Sequence, residues 1–134
     1  MILGPSLATI VSAVEVTTAV NRRELQRYLA RVGDRWPIDV AVLGGARVAD
    51  EQGAPPQRER GPEFIVILVS PAFEGMPWLE RVYTAGSLWD GLEMGAPADV
   101  HCYTPAEFER KRESLPRVSQ AVESGIDLLA EARA

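Results

Sequence analysis

Two glycines and two carboxylates stand where apolar segments of the sequence begin or end. Gly44-Gly45 closes a short apolar run, Glu63 opens the most apolar run of the chain, and Asp99 opens a third. Adjacent strands bring such end residues within a few ångströms, where carboxylates hold a hard divalent cation and glycines let a phosphate approach backbone N–H groups. The alternative interpretation is a simple turn at Gly44-Gly45, with Glu63 and Asp99 as solvated strand ends.

The third apolar segment suggests a second kind of site. Because residues two apart on a strand face the same side, Asp99, His101 and Tyr103 are predicted to share one face. Glu63, Asp99 and His101 together supply two carboxylates and an imidazole, a set that suits a mononuclear metal site. A lone His beside an acid is more often a hydrogen-bonded surface residue. Cys102 is expected on the opposite face as a small buried hydrophobe.

The elements that must position these residues alternate between helix and strand. The stretch 63–69 is apolar on both faces, which predicts a central strand in a covered sheet. The order predicts one α/β domain over residues 1–134, with a small mixed sheet of three to five strands and helices packed on it. Strands are predicted at 38–43, 63–69 and 99–104, and helices at 21–33, 76–91, after the cap residue Thr104, and at 118–124.

Two further stretches are predicted to form a loop and a helix. Residues 46–62 carry two glycines and three prolines among charges, which predicts a long polar loop and the most mobile element of the domain. Arg60 lies in this loop, where a solvated side chain is the simplest interpretation and a phosphate contact the alternative. The stretch 7–20 is rich in Val and Thr, and a helix is favoured there over a strand. The helix at 76–91 is predicted to bury one apolar stripe, formed by Leu79, Val82, Tyr83, Gly86 and Trp89.

Composition excludes several classes of protein. The 134 residues give a net charge of −5, which argues against general binding to nucleic-acid backbones. No apolar run reaches the ~20 residues of a membrane span. The first residues lack the basic region of a secretory signal, and a single cysteine cannot form an internal disulfide. A cytoplasmic protein is therefore expected.

Several motifs, in this order, carry a resemblance to a known family. They are Val42-Leu43-Gly44-Gly45, Pro62 to Val69 (PEFIVILV), Asp99 to Glu109 (DVHCYTPAEFE) and Gly125 to Leu129 (GIDLL). Over about residues 20–130 the chain resembles the minimal nucleotidyltransferases of the DNA polymerase beta-like superfamily. In that family Gly-Ser precedes a variable loop, Ser-Asp-x-Asp lies on a buried strand, and a third Asp lies on a further strand. The resemblance implies a nucleotidyltransferase-like fold for the single domain.

The catalytic signature of that family is altered here. The resemblance implies that the three Asp of active members bind two Mg²⁺. These ions align a triphosphate and lower the pKa of the attacking hydroxyl. At the matching positions this sequence has Glu63, Ile65 and Asp99, and the Ser of Gly-Ser is Gly45. Ile65 offers no oxygen to a metal. The resemblance therefore implies a domain whose standard chemistry is lost.

Three functional hypotheses follow. The first is a degenerate nucleotidyltransferase-like domain that needs no cofactor and has a binding or regulatory role. The resemblance implies a helical-bundle partner for it, as in toxin–antitoxin pairs, and a homodimer is the other predicted assembly. The second is an active Mg²⁺-dependent enzyme that uses Glu63 and Asp99. The third is a nucleotide-binding module without turnover, using Gly44, Gly45 and Arg47.

Overall fold

The computed structural model describes residues 20–55 and 60–133. Apart from Val20, the predicted helix at 7–20 lies outside these residues. The described part forms a four-stranded sheet, seven α-helices and one 3-10 turn. In chain order these are α1 (Arg22–Arg35), β1 (Val40–Gly44), α2 (Ala46–Glu51), β2 (Phe64–Val69), the 3-10 turn (Pro71–Phe73), α3 (Trp78–Ser87), α4 (Gly91–Met94), β3 (Ala98–Tyr103), α5 (Pro105–Ser114), α6 (Pro116–Ser124), β4 (Ile126–Asp127) and α7 (Leu128–Arg133).

The sheet is mixed and has the order β3-β2-β1-β4. Strand β1 runs antiparallel to β2 and to β4, whereas β2 and β3 are parallel. All six residues of β2 are buried, so the predicted central strand is confirmed. The α/β class and the small mixed sheet with helices packed on it are confirmed as well. At one end of the sheet the register aligns Gly44 with Ile65 and Ile65 with Asp99.

Alternate residues of β2 face two separate clusters of buried side chains. One side of β2 packs with α1, α3, α4 and α7 through Phe64, Val66 and Leu68. We call this side of the sheet the α1 face. The other side of β2 packs with α5 and α6 through Ile65 and the residues two and four positions after it. We call this side of the sheet the α6 face. Because each side chain of β2 is covered, the strand needs apolar residues at every position, and its sequence supplies them.

The first turn of α5 follows the sequence signal closely. The Thr104 hydroxyl accepts the Glu107 N–H (3.2 Å), and the Glu107 carboxylate accepts the Thr104 N–H (2.8 Å). This reciprocal pair satisfies two amides that the helix itself leaves open, with Pro105 at the first helical position. The predicted capping box is confirmed, and it fixes the direction in which the chain leaves β3.

The structure corrects two predicted boundaries near the first strand. Residues 46–62 are not one long loop, because Ala46–Glu51 forms α2 directly after the glycines. Prolines and glycines in this stretch begin only at Gly53, so they do not oppose a helix before it. The predicted stop at Gly33 is also wrong, since α1 continues to Arg35. Gly33 is exposed there, and a solvent-facing glycine weakens a helix without ending it.

The predicted helix at 76–91 and its buried stripe are wrong in part. The helix α3 ends at Ser87, and Trp89 lies beyond it, against the rings of Tyr28 and Phe64. Leu79 and Tyr83 are 76% and 80% exposed. The buried face instead holds Ala85 and Arg81, whose guanidinium donates to the Cys102 carbonyl and to Glu107. Polar acceptors at the end of β3 satisfy Arg81, so this charged residue can be buried on the inward side of α3.

Within the described residues, no helix combines the length and the apolar character needed to cross a membrane.

Candidate functional site

A cavity of about 460 Å³ lies where β1 ends and β2 begins. Its walls come from α2, from the segment 60–62 and from α6. Small and apolar residues make up most of its described lining, whose charged members are Asp50, Arg60 and Arg117. The two predicted glycines, Gly44 and Gly45, both line it. The end of the sheet singled out by the sequence is therefore open to a ligand of small-molecule size.

Both glycines are required by close packing. Gly45 has φ +106°, and a Cβ there would lie 2.6 Å from the Glu63 carbonyl oxygen and 2.8 Å from the Phe64 Cα. A Cβ on Gly44 would lie 2.9 Å from the Cβ of Ala121 in α6. Contacts this short exclude any side chain without a backbone shift. The glycines thus bring both β2 and α6 close to the end of β1.

The amides predicted to approach a phosphate have acceptors within the protein. The Ala46 N–H donates to the Pro62 carbonyl and the Arg47 N–H donates to the Glu63 carbonyl, each at 3.0 Å. These bonds join the start of α2 to the chain that enters β2. Arg47 also extends its guanidinium to Glu63 and to the carbonyl of Gly95 (3.2 Å). Arg47 therefore contributes to the position of β2, while Gly44 and Gly45 line the cavity.

Two guanidinium groups hold the predicted catalytic acid Glu63. Arg47 Nε donates to its Oε2 at 2.9 Å, and Arg60 donates to both carboxylate oxygens at 2.9 Å. Arg60 also bonds Asp50 at 2.8 Å. The hydrogen bonds from Arg60 are the main cause of a lowered pKa for Glu63, and Arg47 lowers it further against an opposing effect of burial. Glu63 is therefore an ionised, fully engaged carboxylate.

The predicted row on β3 is present on the α6 side of the sheet. His101 Nε2 lies 3.1 Å from Asp99 Oδ2, and its Nδ1 lies 3.0 Å from the Tyr103 hydroxyl. If the Tyr103 hydroxyl donates to Nδ1, the Nε2–H donates to Asp99, so the row is satisfied within itself. Arg117 of α6 approaches Asp99 at 3.7 Å. Cys102 faces the other side, as expected, and burial raises the pKa of its thiol to about 12.

The residues present do not fit a Mg²⁺ site. Ile65 lines the cavity with a side chain 6% exposed, directly between Gly44 and Asp99 in the sheet register, and supplies no oxygen. Over residues 20–55 and 60–133, no three His, Cys, Asp or Glu side chains come together as a possible metal site. Glu63, Asp99 and His101 are therefore not gathered into one set of ligands. Mg²⁺ requires near-ideal oxygen geometry, which this edge does not provide.

Sequence reasoning missed the α6 wall of the cavity. Arg117, Gln120, Ala121 and Ser124 line it, one helical turn after another. They lie more than 70 residues after Gly44, and nothing in their spacing indicates a site, because the pattern of α6 is that of an ordinary amphipathic helix. Only the packing of α6 against β1 brings them to the glycines.

Comparisons with protein-family models, with curated proteins and with solved structures find no match to this chain.

Proposed function

We propose that this chain is a nucleotidyltransferase-like domain that has lost metal-dependent transfer and acts by binding. The proposal rests on the state of the two positions, 63 and 65, where the resemblance implies metal-binding Asp residues. Glu63, just before β2, is bound by Arg47 and Arg60, and two residues further along the chain lies the buried Ile65. A metal would have to displace two guanidinium groups from Glu63 and would find a hydrocarbon side chain at position 65 in place of a second carboxylate.

The size of this loss supports the proposal. Metal ions in such reactions stabilise the charge that develops on the transferred phosphoryl group and on the attacking oxygen. Losing a shared ligand costs several kcal/mol of that stabilisation, which is a rate reduction of about 10³-fold or more. A cation that binds Glu63 would also have to break its charge-assisted hydrogen bonds with two guanidinium groups.

The binding part of the proposal is supported by exposed apolar side chains on α3. Leu79 and Tyr83 lie one helical turn apart and are largely exposed, and Trp78 beside them is partly exposed over Tyr103. The helical-bundle partner that the resemblance implies, or a second copy of this chain, would find its apolar contact here. Light scattering on the purified chain separates the two, since a homodimer doubles the mass and a chain that awaits a partner is a monomer.

A cytoplasmic location belongs to the same proposal. The thiol of Cys102 is free and buried in the α1 face, which suits a reducing compartment.

The test is a thermal-shift panel with nucleoside triphosphates, each with and without Mg²⁺ or Mn²⁺, together with an assay for released pyrophosphate. We expect no metal-dependent rise in the melting temperature and no pyrophosphate. Asp99→Asn is the matched variant, because it removes the remaining carboxylate on β3 while keeping its shape. Pyrophosphate release that Asp99→Asn abolishes would overturn the proposal in favour of an active enzyme using Glu63 and Asp99.

A second candidate, a nucleotide-binding module without turnover, is favoured by the cavity beside Gly44 and Gly45. It predicts a rise in melting temperature with a nucleotide and no pyrophosphate. The engagement of Arg47 with Glu63 and Gly95 counts against it, since this cation was the expected phosphate contact.

A further inference from the structure

The cavity between α2 and α6 combines apolar and polar surface in similar amounts, as a site for an amphiphilic ligand does. Gly44, Ala49, Ile65 and Ala121 line it with small or branched hydrocarbon surface, and its volume of about 460 Å³ lies in the range of small-molecule sites. Side chains this short leave room for a flat ring system, which would remove hydrocarbon surface from water on both sides.

The charges at the cavity favour a single negative group. Among the lining side chains that the structure describes, Arg60 and Arg117 are cationic and Asp50 is anionic. Arg60 is held by Asp50 and Glu63. Arg117 is 64% exposed and approaches Asp99 only at 3.7 Å. Its charge is therefore the less compensated of the two, in a chain whose net charge is −5.

We propose that this cavity binds a small organic monoanion, with its apolar body against Ala49, Ile65 and Ala121 and its acidic group at Arg117. Gln120 on the same wall offers amide hydrogen bonds beside it. A nucleoside triphosphate carries about four negative charges, which the one guanidinium of Arg117, already close to Asp99, does not balance. The inference rests on the proposed loss of metal binding, because a metal ion would change this charge balance.

The first experiment is a fluorescence titration of the full chain with 8-anilinonaphthalene-1-sulfonate, a flat monoanion, in buffer containing EDTA. We expect saturable binding, and weaker binding of the neutral analogue N-phenyl-1-naphthylamine. Ala49→Trp fills the cavity and should reduce affinity by about tenfold or more. Arg117→Gln removes a charge-assisted contact and should also reduce affinity by about tenfold. It should leave the neutral probe unaffected.

Matched controls separate this site from the rest of the surface. Ala106→Trp and Arg110→Gln make the same changes at exposed positions of α5, outside the cavity lining, and should leave the affinity unchanged. Leu79→Ala with Tyr83→Ala tests the exposed apolar residues of α3, and an affinity lost there would overturn the proposed site. Where Ala49→Trp fails to fold by circular dichroism, Ala49→Leu replaces it.

Two further results would overturn the inference. If neither Ala49→Trp nor Ala49→Leu weakens the probe, the cavity is not where it binds. If Arg117→Gln weakens both probes equally, or neither, no anion is recognised at Arg117. These outcomes are distinct from a failure of the proposed function, which is judged by pyrophosphate release from metal and nucleoside triphosphate. The result of the probe titration therefore does not depend on the result of the pyrophosphate assay.

Discussion

The two faces of the sheet are built from the same strands and differ in what they leave open. On the α1 face, Phe64, Val66 and Leu68 are fully buried, and aromatic rings meet edge to face, as in Tyr28 against Trp89 at 5.1 Å. On the α6 face, the apolar cluster stops at Ile65, where the cavity begins, and β3 presents a hydrogen-bonded polar row. Both faces bury apolar side chains, but only the α6 face leaves an opening, and the candidate site lies there.

The largest expected effect is a loss of stability when a buried residue of the α1 face is shortened. Phe64→Ala should lower the free energy of unfolding by about 3–5 kcal/mol, because it leaves a void between Trp89 and the sheet that neighbouring side chains cannot fill. Urea denaturation followed by tryptophan fluorescence measures it. Tyr83→Ala, an exposed aromatic on α3, is the control and should change stability by about 0.5 kcal/mol or less. Similar losses for both variants would contradict the close packing of the α1 face around Phe64.

The next effect concerns the edge of the α6 face. Ile65→Asp places a carboxylate in a buried position beside Asp99 and should cost about 3 kcal/mol or more at neutral pH. Ile65→Asn is the control, since it removes the same hydrocarbon without adding charge. Because burial raises the pKa of the new carboxyl, the difference between the two variants should shrink as the pH falls and the carboxyl is protonated. A difference that is the same at every pH would refute an electrostatic cost.

A smaller effect compares two glycines. Gly45→Ala should cost about 1–3 kcal/mol, because its φ of +106° is unfavourable for alanine and the new Cβ meets the chain at Glu63. In contrast, Gly33→Ala lies in α1 with no atom within 4 Å of the new Cβ, and it should stabilise the protein by about 0.5–1 kcal/mol. Thermal melting of both variants gives the two signs. A neutral Gly45→Ala would mean that close approach at the end of β1 is not required.

The smallest effect is the pH dependence that Glu63 contributes. Its pKa in the folded protein is lowered, chiefly by Arg60, from the 4.5 of a free glutamate. A lowered pKa gives stability that is present above 4.5 and is lost as the pH falls through the folded value. Glu63→Gln should therefore flatten the acid side of the stability curve without changing its shape above neutral pH. Melting temperatures from pH 7 downward measure this, and superimposable curves for the two proteins would contradict the ion-pair cluster.

Much of the fold could be predicted from the sequence because it depends on local patterns. The unbroken apolar run of β2 predicted a central strand, and Thr104, Pro105 and Glu107 predicted the start of α5. The period of a strand also put Asp99 and His101 on one face. Predictions failed where a distant partner decided the outcome. The burial of Arg81 on α3 depends on acceptors at the end of β3, and no local pattern contains them.

By itself, the sequence determined the approximate positions of β1, β2 and β3, the apolar residue at position 65 and the small residues at Gly44-Gly45, since these depend on side-chain volume, polarity and period along one segment. Only the tertiary structure decided that Glu63 would be bound by Arg47 and Arg60, and that α6 would form the second wall of the cavity. The physical reason is distance along the chain. Ion pairs and cavity walls form between segments whose relative position is fixed by packing of the whole core, which no single stretch of sequence encodes.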